Sequence, residues 1–291
     1  MTSPWILAAR PRTLPAAAAP VLVGTALAWR LGGFSLLPAL AALAGALSIQ
    51  VATNLGNDYF DYRHGADTEA RVGPVRVTQA GLLSPAAVRR GMALALLAAL
   101  LVGVYLIQVA GPPILWIGLA SLVCAVAYTG GPFPLAYRGL GDVFVFVFFG
   151  LVAVAGTVYV QTLVFSWEAL WAGAGVGSVS TALLVVNNLR DVETDAAAGK
   201  RTLAVRLGVP GTRVQYTLLW AFAAAVPVVG VGLYRWPSAV MAALMGLVAA
   251  GGAVRAVWTS THPRELIPAL AITARGLMVY AVGLSAGLVL G

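Results

Sequence analysis

Gln50-Val51-Ala52-Thr53-Asn54-Leu55-Gly56-Asn57-Asp58-Tyr59-Phe60-Asp61 closes an apolar run that begins near position 35. Read as helix, Gln50, Asn54, Asp58 and Asp61 fall at i, i+4, i+8 and i+11 and share one face. A polar stripe that runs into an apolar span is costly in a bilayer and points to a cavity. A second stretch, Asn187-Asn188-Leu189-Arg190-Asp191-Val192-Glu193-Thr194-Asp195, closes another apolar run in the same way. Its Asn187, Asp191 and Asp195 fall at i, i+4 and i+8. Each helix end therefore turns an Asn and two carboxylates in one direction.

Around these stretches the 291-residue chain is 60% hydrophobic and only 10% charged, against about 25% charged in soluble domains. Roughly 175 apolar residues furnish about eight or nine spans of ~20 residues each. That balance excludes a soluble enzyme, a disordered chain and a fibrous repeat. The apolar runs separate at about 14–31, 35–57, 88–110, 113–130, 141–163, 168–189, 212–234, 237–257 and 267–290. In lipid each backbone polar group must be satisfied within its own segment, so these are expected to be helices. The expected fold class is all-α, a polytopic membrane bundle of about nine spans forming one unit over residues 1–291. The run Val143-Phe144-Val145-Phe146-Val147-Phe148-Phe149 has strand propensity, but its place inside a ~20-residue apolar stretch makes it helix. Arg10 and Arg12 ahead of the first run mimic a signal peptide, yet Pro15, Pro20 and the apolar segments that follow favour a retained span.

The ten acidic residues are unevenly placed: Asp58, Asp61, Asp67 and Glu69 form one window, and Asp191, Glu193 and Asp195 another. Asp142, Glu168 and Glu265 are the remainder, and the one lysine, Lys200, follows Asp195 by five positions. With the N-terminus cytoplasmic, Arg10, Arg12, Arg63, Arg71, Arg76, Arg89, Arg90, Arg138, Arg190, Lys200, Arg201, Arg206, Arg213, Arg255 and Arg264 all fall on that side. Only Arg30 and Arg235 fall outside. The asymmetry sets an orientation in which both acidic connections are cytoplasmic and the C-terminus is outside. It also accounts for the net charge of +8 without a nucleic-acid partner. The single cysteine, Cys124, excludes an internal disulfide.

Carboxylates packed this closely repel unless a cation sits between them, and hard oxygen donors select Mg²⁺ or Ca²⁺. Mg²⁺ takes one or two carboxylates and keeps positions for water and phosphate oxygens. Asp58, Asp61, Asp191 and Asp195 are the candidate metal ligands. Arg71, Arg76, Lys200 and Arg201 lie in the same two connections and suit anionic oxygens. Carboxylates, Mg²⁺ and basic caps together describe a diphosphate site, and an opening toward the bilayer suits a diphosphate with a long lipid tail.

Asn57-Asp58-Tyr59-Phe60-Asp61 and Asp191-Val192-Glu193-Thr194-Asp195 resemble the two Asp-rich motifs of the UbiA-type intramembrane prenyltransferases. Further segments are similar to the branch of that family acting on 1,4-dihydroxy-2-naphthoate. These are Arg10-Pro11-Arg12-Thr13-Leu14-Pro15, Gly65-Ala66-Asp67, residues 71–81, Tyr128-Thr129-Gly130-Gly131-Pro132, Gly139-Leu140-Gly141-Asp142 and residues 199–208. Asp67 follows Asp61 by six residues, a spacing that fits this branch, and Asp142 stands where a Glu is expected. The resemblance implies a nine-helix enzyme that moves a prenyl chain from a polyprenyl diphosphate to an aromatic acceptor with loss of diphosphate and CO₂, in menaquinone biosynthesis. It implies two Mg²⁺ ions at Asp58, Asp61, Asp191 and Asp195, with Lys200 as a further catalytic group. It also implies a substrate site formed by Asn54, Asp67, Arg71, Arg76, Gln79, Tyr128, Asp142, Asn187, Arg201 and Arg275. The expected partners are those two substrates and the lipid bilayer, with no nucleic acid and no obligate protein partner.

Arg275 stands about nine residues into the last span, roughly 14 Å along the helix. An arginine at that depth is a functional candidate by default, and it is expected to orient Asp142 or an acceptor oxygen. Other aromatic acceptors, 4-hydroxybenzoate or homogentisate, would use the same metal site. A cation transporter would place its carboxylates near the bilayer midplane in broken helices, whereas here they fall at helix ends.

Overall fold

The computed structural model describes residues 3–65, 72–73 and 75–291. Two expected substrate residues, Asp67 and Arg71, lie outside the described residues. Among the described residues the chain is all-helical. In chain order the helices are α1 (Pro4–Ala9), α2 (Leu14–Arg30), α3 (Leu36–Arg63), α4 (Pro85–Ala110), α5 (Pro112–Ala127) and α6 (Gly141–Thr162). They continue as α7 (Trp167–Arg190), α8 (Val192–Ala197), α9 (Leu203–Tyr234), α10 (Ser238–Thr259) and α11 (Pro263–Leu290).

Seven of these, α3, α4, α6, α7, α9, α10 and α11, are long and apolar enough to cross a bilayer. The shorter α2 and α5, of 17 and 16 residues, occupy the positions of two further expected spans. Local chemistry sets the starts. Proline, whose missing N–H costs nothing in a first turn, opens α2, α4 and α5. Ser84, Ser166 and Thr202 cap α4, α7 and α9 by accepting the N–H of Ala87, Ala169 and Val205. α9 is broken at Gly208 (φ 66°, ψ 176°), two residues before Pro210, so the chain turns there before entering the span proper. α3 continues to Arg63, past the expected boundary at 57, so the first acidic stretch forms that helix's own last turns.

α7 is the axis of the bundle, with 83% of its most apolar window buried, whereas α4 has 6% of its window buried and faces outward. Small residues allow this. A Cβ on Gly150 of α6 would lie 2.5 Å from the Gly177 Cα, and one on Gly173 would lie 2.8 Å from the Gly150 carbonyl oxygen. Backbone meets backbone there, as in small-residue packing between membrane helices. At that contact α6 widens into a π-helical turn, Val147–Val152, so the Val/Phe run is indeed helical. Several buried polar groups bond across the bundle: Tyr216 bonds Thr273 at 2.8 Å, Tyr280 donates to the Ala223 carbonyl at 2.9 Å, and Trp171 donates to that of Val226 at 3.0 Å.

Candidate active site

The ends of α3 and α7 border one cavity, to which α3 contributes Asn54 and Asn57 and α7 contributes Asn187. Asp58, 1% exposed, accepts the backbone N–H groups of Val77 at 3.1 Å and Thr78 at 2.9 Å, with the Arg10 guanidinium 4.0 Å away. Asp61 accepts from Arg76 at 2.9 Å on one oxygen and from the Tyr137 hydroxyl at 2.9 Å on the other. The first acidic pair thus anchors the segment that follows it, folding residues 75–78 back over the end of α3.

The second motif is organised differently from its spacing. α7 ends at Arg190, and Asp191 is its C-cap (φ −98°, ψ 11°), so Asn187, Asp191 and Asp195 do not lie on one continuous helix. The chain re-enters helix at α8, and the Asp195 N–H still reaches the Asp191 carbonyl at 2.8 Å. Arg190, whose side chain is fully buried, grips both Asp191 oxygens at 2.8 and 2.6 Å and Asn187 Oδ1 at 2.8 Å. Sequence reasoning counted Arg190 only as an orientation charge. Its position between Asn188-Leu189 and Asp191 was the available signal.

Asp195 pairs with Lys200 at 3.5 Å through Oδ1, while its Oδ2 is buried with no hydrogen-bond partner among the described residues. Burial pushes the Asp195 carboxyl above the ordinary range, the Lys200 ammonium pulls it back, and Asp191 and Asp61 push it further up. Carboxylates of the two motifs are therefore within electrostatic reach of each other.

Next to this acidic end a cavity of about 380 Å³ runs into the bundle. Its polar mouth is formed by Arg10, Thr13, Gln50, Asn54, Asn57, Tyr128 and Asn187, and its interior by residues such as Phe144, Phe148, Leu183 and Leu184. Asn54 donates to the Ala9 carbonyl and to Thr13 Oγ1, both at 2.9 Å, and Gln50 donates to Thr13 at 3.0 Å. The Arg-Pro-Arg-Thr stretch is thereby clamped onto α3 with Arg10 in a left-handed turn (φ 49°), its side chain lining the mouth.

Other expected residues are scattered around the mouth. Tyr128 and Asn187 line the cavity. Asp142 is buried and accepts from Gln215 at 2.9 Å, and Gln79 is half-buried beside Thr78. Arg201 has an exposed side chain, and its backbone N–H donates to the Tyr137 carbonyl at 3.1 Å. Arg275 is not brought to Asp142. It is exposed and donates to the Ala249 carbonyl at 3.0 Å, bracing α11 against α10. Depth along a helix followed from the sequence, whereas the direction around it was set by packing.

The donor chemistry fits Mg²⁺. The carboxylates are hard ligands, and the buried Asp195 Oδ2 has an unused lone pair. Among the described residues no three His, Cys, Asp or Glu side chains converge on one point. An ion here would therefore take one or two protein carboxylates and leave its other positions to water and phosphate oxygens, the usual habit of Mg²⁺.

Known proteins resemble this chain in sequence and in fold. The UbiA prenyltransferase family matches residues 17–286. A 1,4-dihydroxy-2-naphthoate octaprenyltransferase of Mycobacterium tuberculosis is 41% identical over 99% of this chain and 97% of its own length. The Haemophilus influenzae protein of the same name is 37% identical over 99% and 96%. A UbiA homolog from Archaeoglobus fulgidus, solved with DMAPP and Mg²⁺, shares the fold at 13% identity with a TM-score of 0.65, covering 98% of this chain and 99% of that one. Apolar helices long enough to span a bilayer, two acidic helix ends over a cavity and a family match along almost the whole chain lead to one conclusion: this is a multi-pass membrane protein belonging to the UbiA prenyltransferase family.

Proposed function

We propose that the protein transfers a polyprenyl group from a polyprenyl diphosphate to 1,4-dihydroxy-2-naphthoate, releasing diphosphate and CO₂ and leaving demethylmenaquinol. The observation that carries this reading is that two acidic helix ends, bridged by Tyr137, border the polar mouth of an apolar cavity. The acceptor follows from near-full-length relatives named for it, at 41% and 37% identity.

In this reading Asp58, Asp61, Asp191 and Asp195 would hold Mg²⁺, one or two carboxylates to an ion, and the metal would supply positive charge beside the leaving diphosphate. Arg76 and Lys200, each seated beside one of these carboxylates, add fixed positive charge where the leaving group becomes more negative. Arg201 adds a further cation after the second motif, and Arg71 is proposed for the same part from its place in the sequence alone. The apolar cavity takes the prenyl chain and keeps water from the allylic carbon as its C–O bond breaks. Tyr128, Phe144 and Phe148 present aromatic faces there to the developing carbocation. The electron-rich ring of the acceptor attacks that carbon, and its carboxylate leaves as CO₂, returning the bonding pair to the ring and restoring the quinol. Asn54 and Asn187 orient substrate at the mouth. In this reading the mouth, both acidic ends and the N-terminus are cytoplasmic, an orientation that the positive-inside asymmetry supports.

The test is to incubate membranes containing the protein with a long-chain prenyl diphosphate, Mg²⁺ and dihydroxynaphthoate. The expected result is a prenylated naphthoquinol with stoichiometric diphosphate. Preference for 4-hydroxybenzoate or homogentisate in an acceptor panel would replace the naphthoate assignment and leave the prenyl transfer standing.

A further inference from the structure

We infer that Tyr137 is a positioning residue that couples the two acidic helix ends, holding Asp61 and Lys200 in one arrangement around the diphosphate. The inference rests on the reading of the acidic ends as a metal-diphosphate site. Three contacts, made by three parts of one residue, carry it. The Tyr137 hydroxyl donates to Asp61 Oδ1 at 2.9 Å. Its ring lies under the Lys200 ammonium, 5.5 Å from the centroid. Its carbonyl accepts the Arg201 N–H at 3.1 Å. Asp61 belongs to the first motif, while Lys200 and Arg201 directly follow the second. Tyr137 comes from neither and touches both.

The turn that presents Tyr137 is braced on each side. Residues Ala136–Arg138 form a single 3₁₀ turn, and the Leu135 and Ala136 N–H groups donate to the carbonyls of Ala127 and Tyr128 at the end of α5. Gly139 follows with φ 74°, and a Cβ there would lie 2.9 Å from the Arg206 guanidinium, which donates to the Arg138 carbonyl at 2.7 Å. A tyrosine on so fixed a turn imposes its position on flexible partners. Asp61 has its other oxygen on Arg76, so the hydroxyl sets the rotation of that carboxylate. Lys200 has a long, mobile stem, and the ring face restricts where its ammonium rests.

Groups that hydrogen-bond a metal ligand orient it and tune its affinity, and their loss typically costs about 10–100-fold in metal binding. The experiment measures Mn²⁺ binding by electron paramagnetic resonance to the purified full-length protein, with inorganic diphosphate present. Tyr137→Phe keeps the ring and removes the hydroxyl; Tyr137→Leu removes both. The expected result is a weakening of about tenfold in Tyr137→Phe and a larger one in Tyr137→Leu, with both variants monodisperse. In an Asp61→Asn background Tyr137→Phe should add nothing, since the hydroxyl acts through that carboxylate. Wild-type affinity in Tyr137→Phe, or an additive loss in the double variant, overturns the inference. Absence of Mn²⁺ binding by the wild type would overturn the metal reading and this inference with it. Normal Tyr137-dependent binding in a protein that ignores dihydroxynaphthoate would remove only the acceptor assignment.

Discussion

Asp61 and Arg76 stand fifteen residues apart and form a 2.9 Å ion pair whose side chains are only 4% and 8% exposed. The pair closes the connection after α3 over the acidic end and puts a guanidinium where the diphosphate is expected. Breaking a buried pair by removing one partner leaves an uncompensated charge and costs about 3–5 kcal/mol.

Arg76→Gln should therefore raise the KM for prenyl diphosphate at least tenfold and leave the KM for the acceptor within about twofold. Arg76→Lys should restore part of the loss, because it keeps the charge and gives up the planar fork. Steady-state kinetics with each substrate varied in turn checks both statements.

Arg190 is the one fully buried basic side chain at the end of α7, with Asp191 and Asn187 as its partners. Arg190→Met should destabilise the protein by about 3–5 kcal/mol. Adding Asp191→Asn to it should recover a measurable part of that stability, since the unpaired charge is then gone. Thermal unfolding in detergent, compared across the single and double variants, reads this directly.

Asp195 carries a buried oxygen with no hydrogen-bond partner among the described residues, and it feels the charges of Asp191 and Asp61. Chelation with EDTA should abolish prenyl transfer, and Mg²⁺ should restore it. Asp195→Asn should shift the Mg²⁺ activation midpoint upward by at least tenfold, measured by diphosphate release at a saturating concentration of both substrates. An unchanged midpoint would remove Asp195 from the metal set.

Gly150 has no room for a side chain: an added Cβ would meet the Gly177 backbone at 2.5 Å. Gly150→Ala should force α6 away from α7 and cost about 1–3 kcal/mol. Gly156→Ala lies on the same helix with nothing within 4 Å of its Cβ, and it should leave the melting temperature within a degree or two of wild type. Thermal unfolding of the two variants side by side distinguishes the contact from glycine content alone.

The legible part of the site was its acidic ends. Asp58 and Asp61 were placed on one helical face by spacing, and α3 does carry both in its last turns. The same reasoning overran at Asp191, because spacing says nothing of where a helix stops, and Asp191 caps α7 instead of continuing it. Arg190 and Tyr137 passed unread for a related reason. Arg190 reads in the sequence only as a cytoplasmic charge and nothing there marks Tyr137, and each gains its role only from what packs against it.

Hydropathy and periodicity are properties of neighbouring residues. The sequence by itself therefore determined the apolar helices, the positions of the two acidic ends and the hard-oxygen chemistry gathered there. Pairing is non-local. Only the tertiary structure decided that Asp58 would hold the backbone of Val77 and Thr78, that Asp61 would sit between Arg76 and Tyr137, and that Arg275 would turn to the Ala249 carbonyl. The physical reason is helix rotation and loop closure. Glycine contacts such as Gly150 on Gly177 set how α6 and α7 pack together, and that packing, with loop closure, sets the direction in which each polar side chain points.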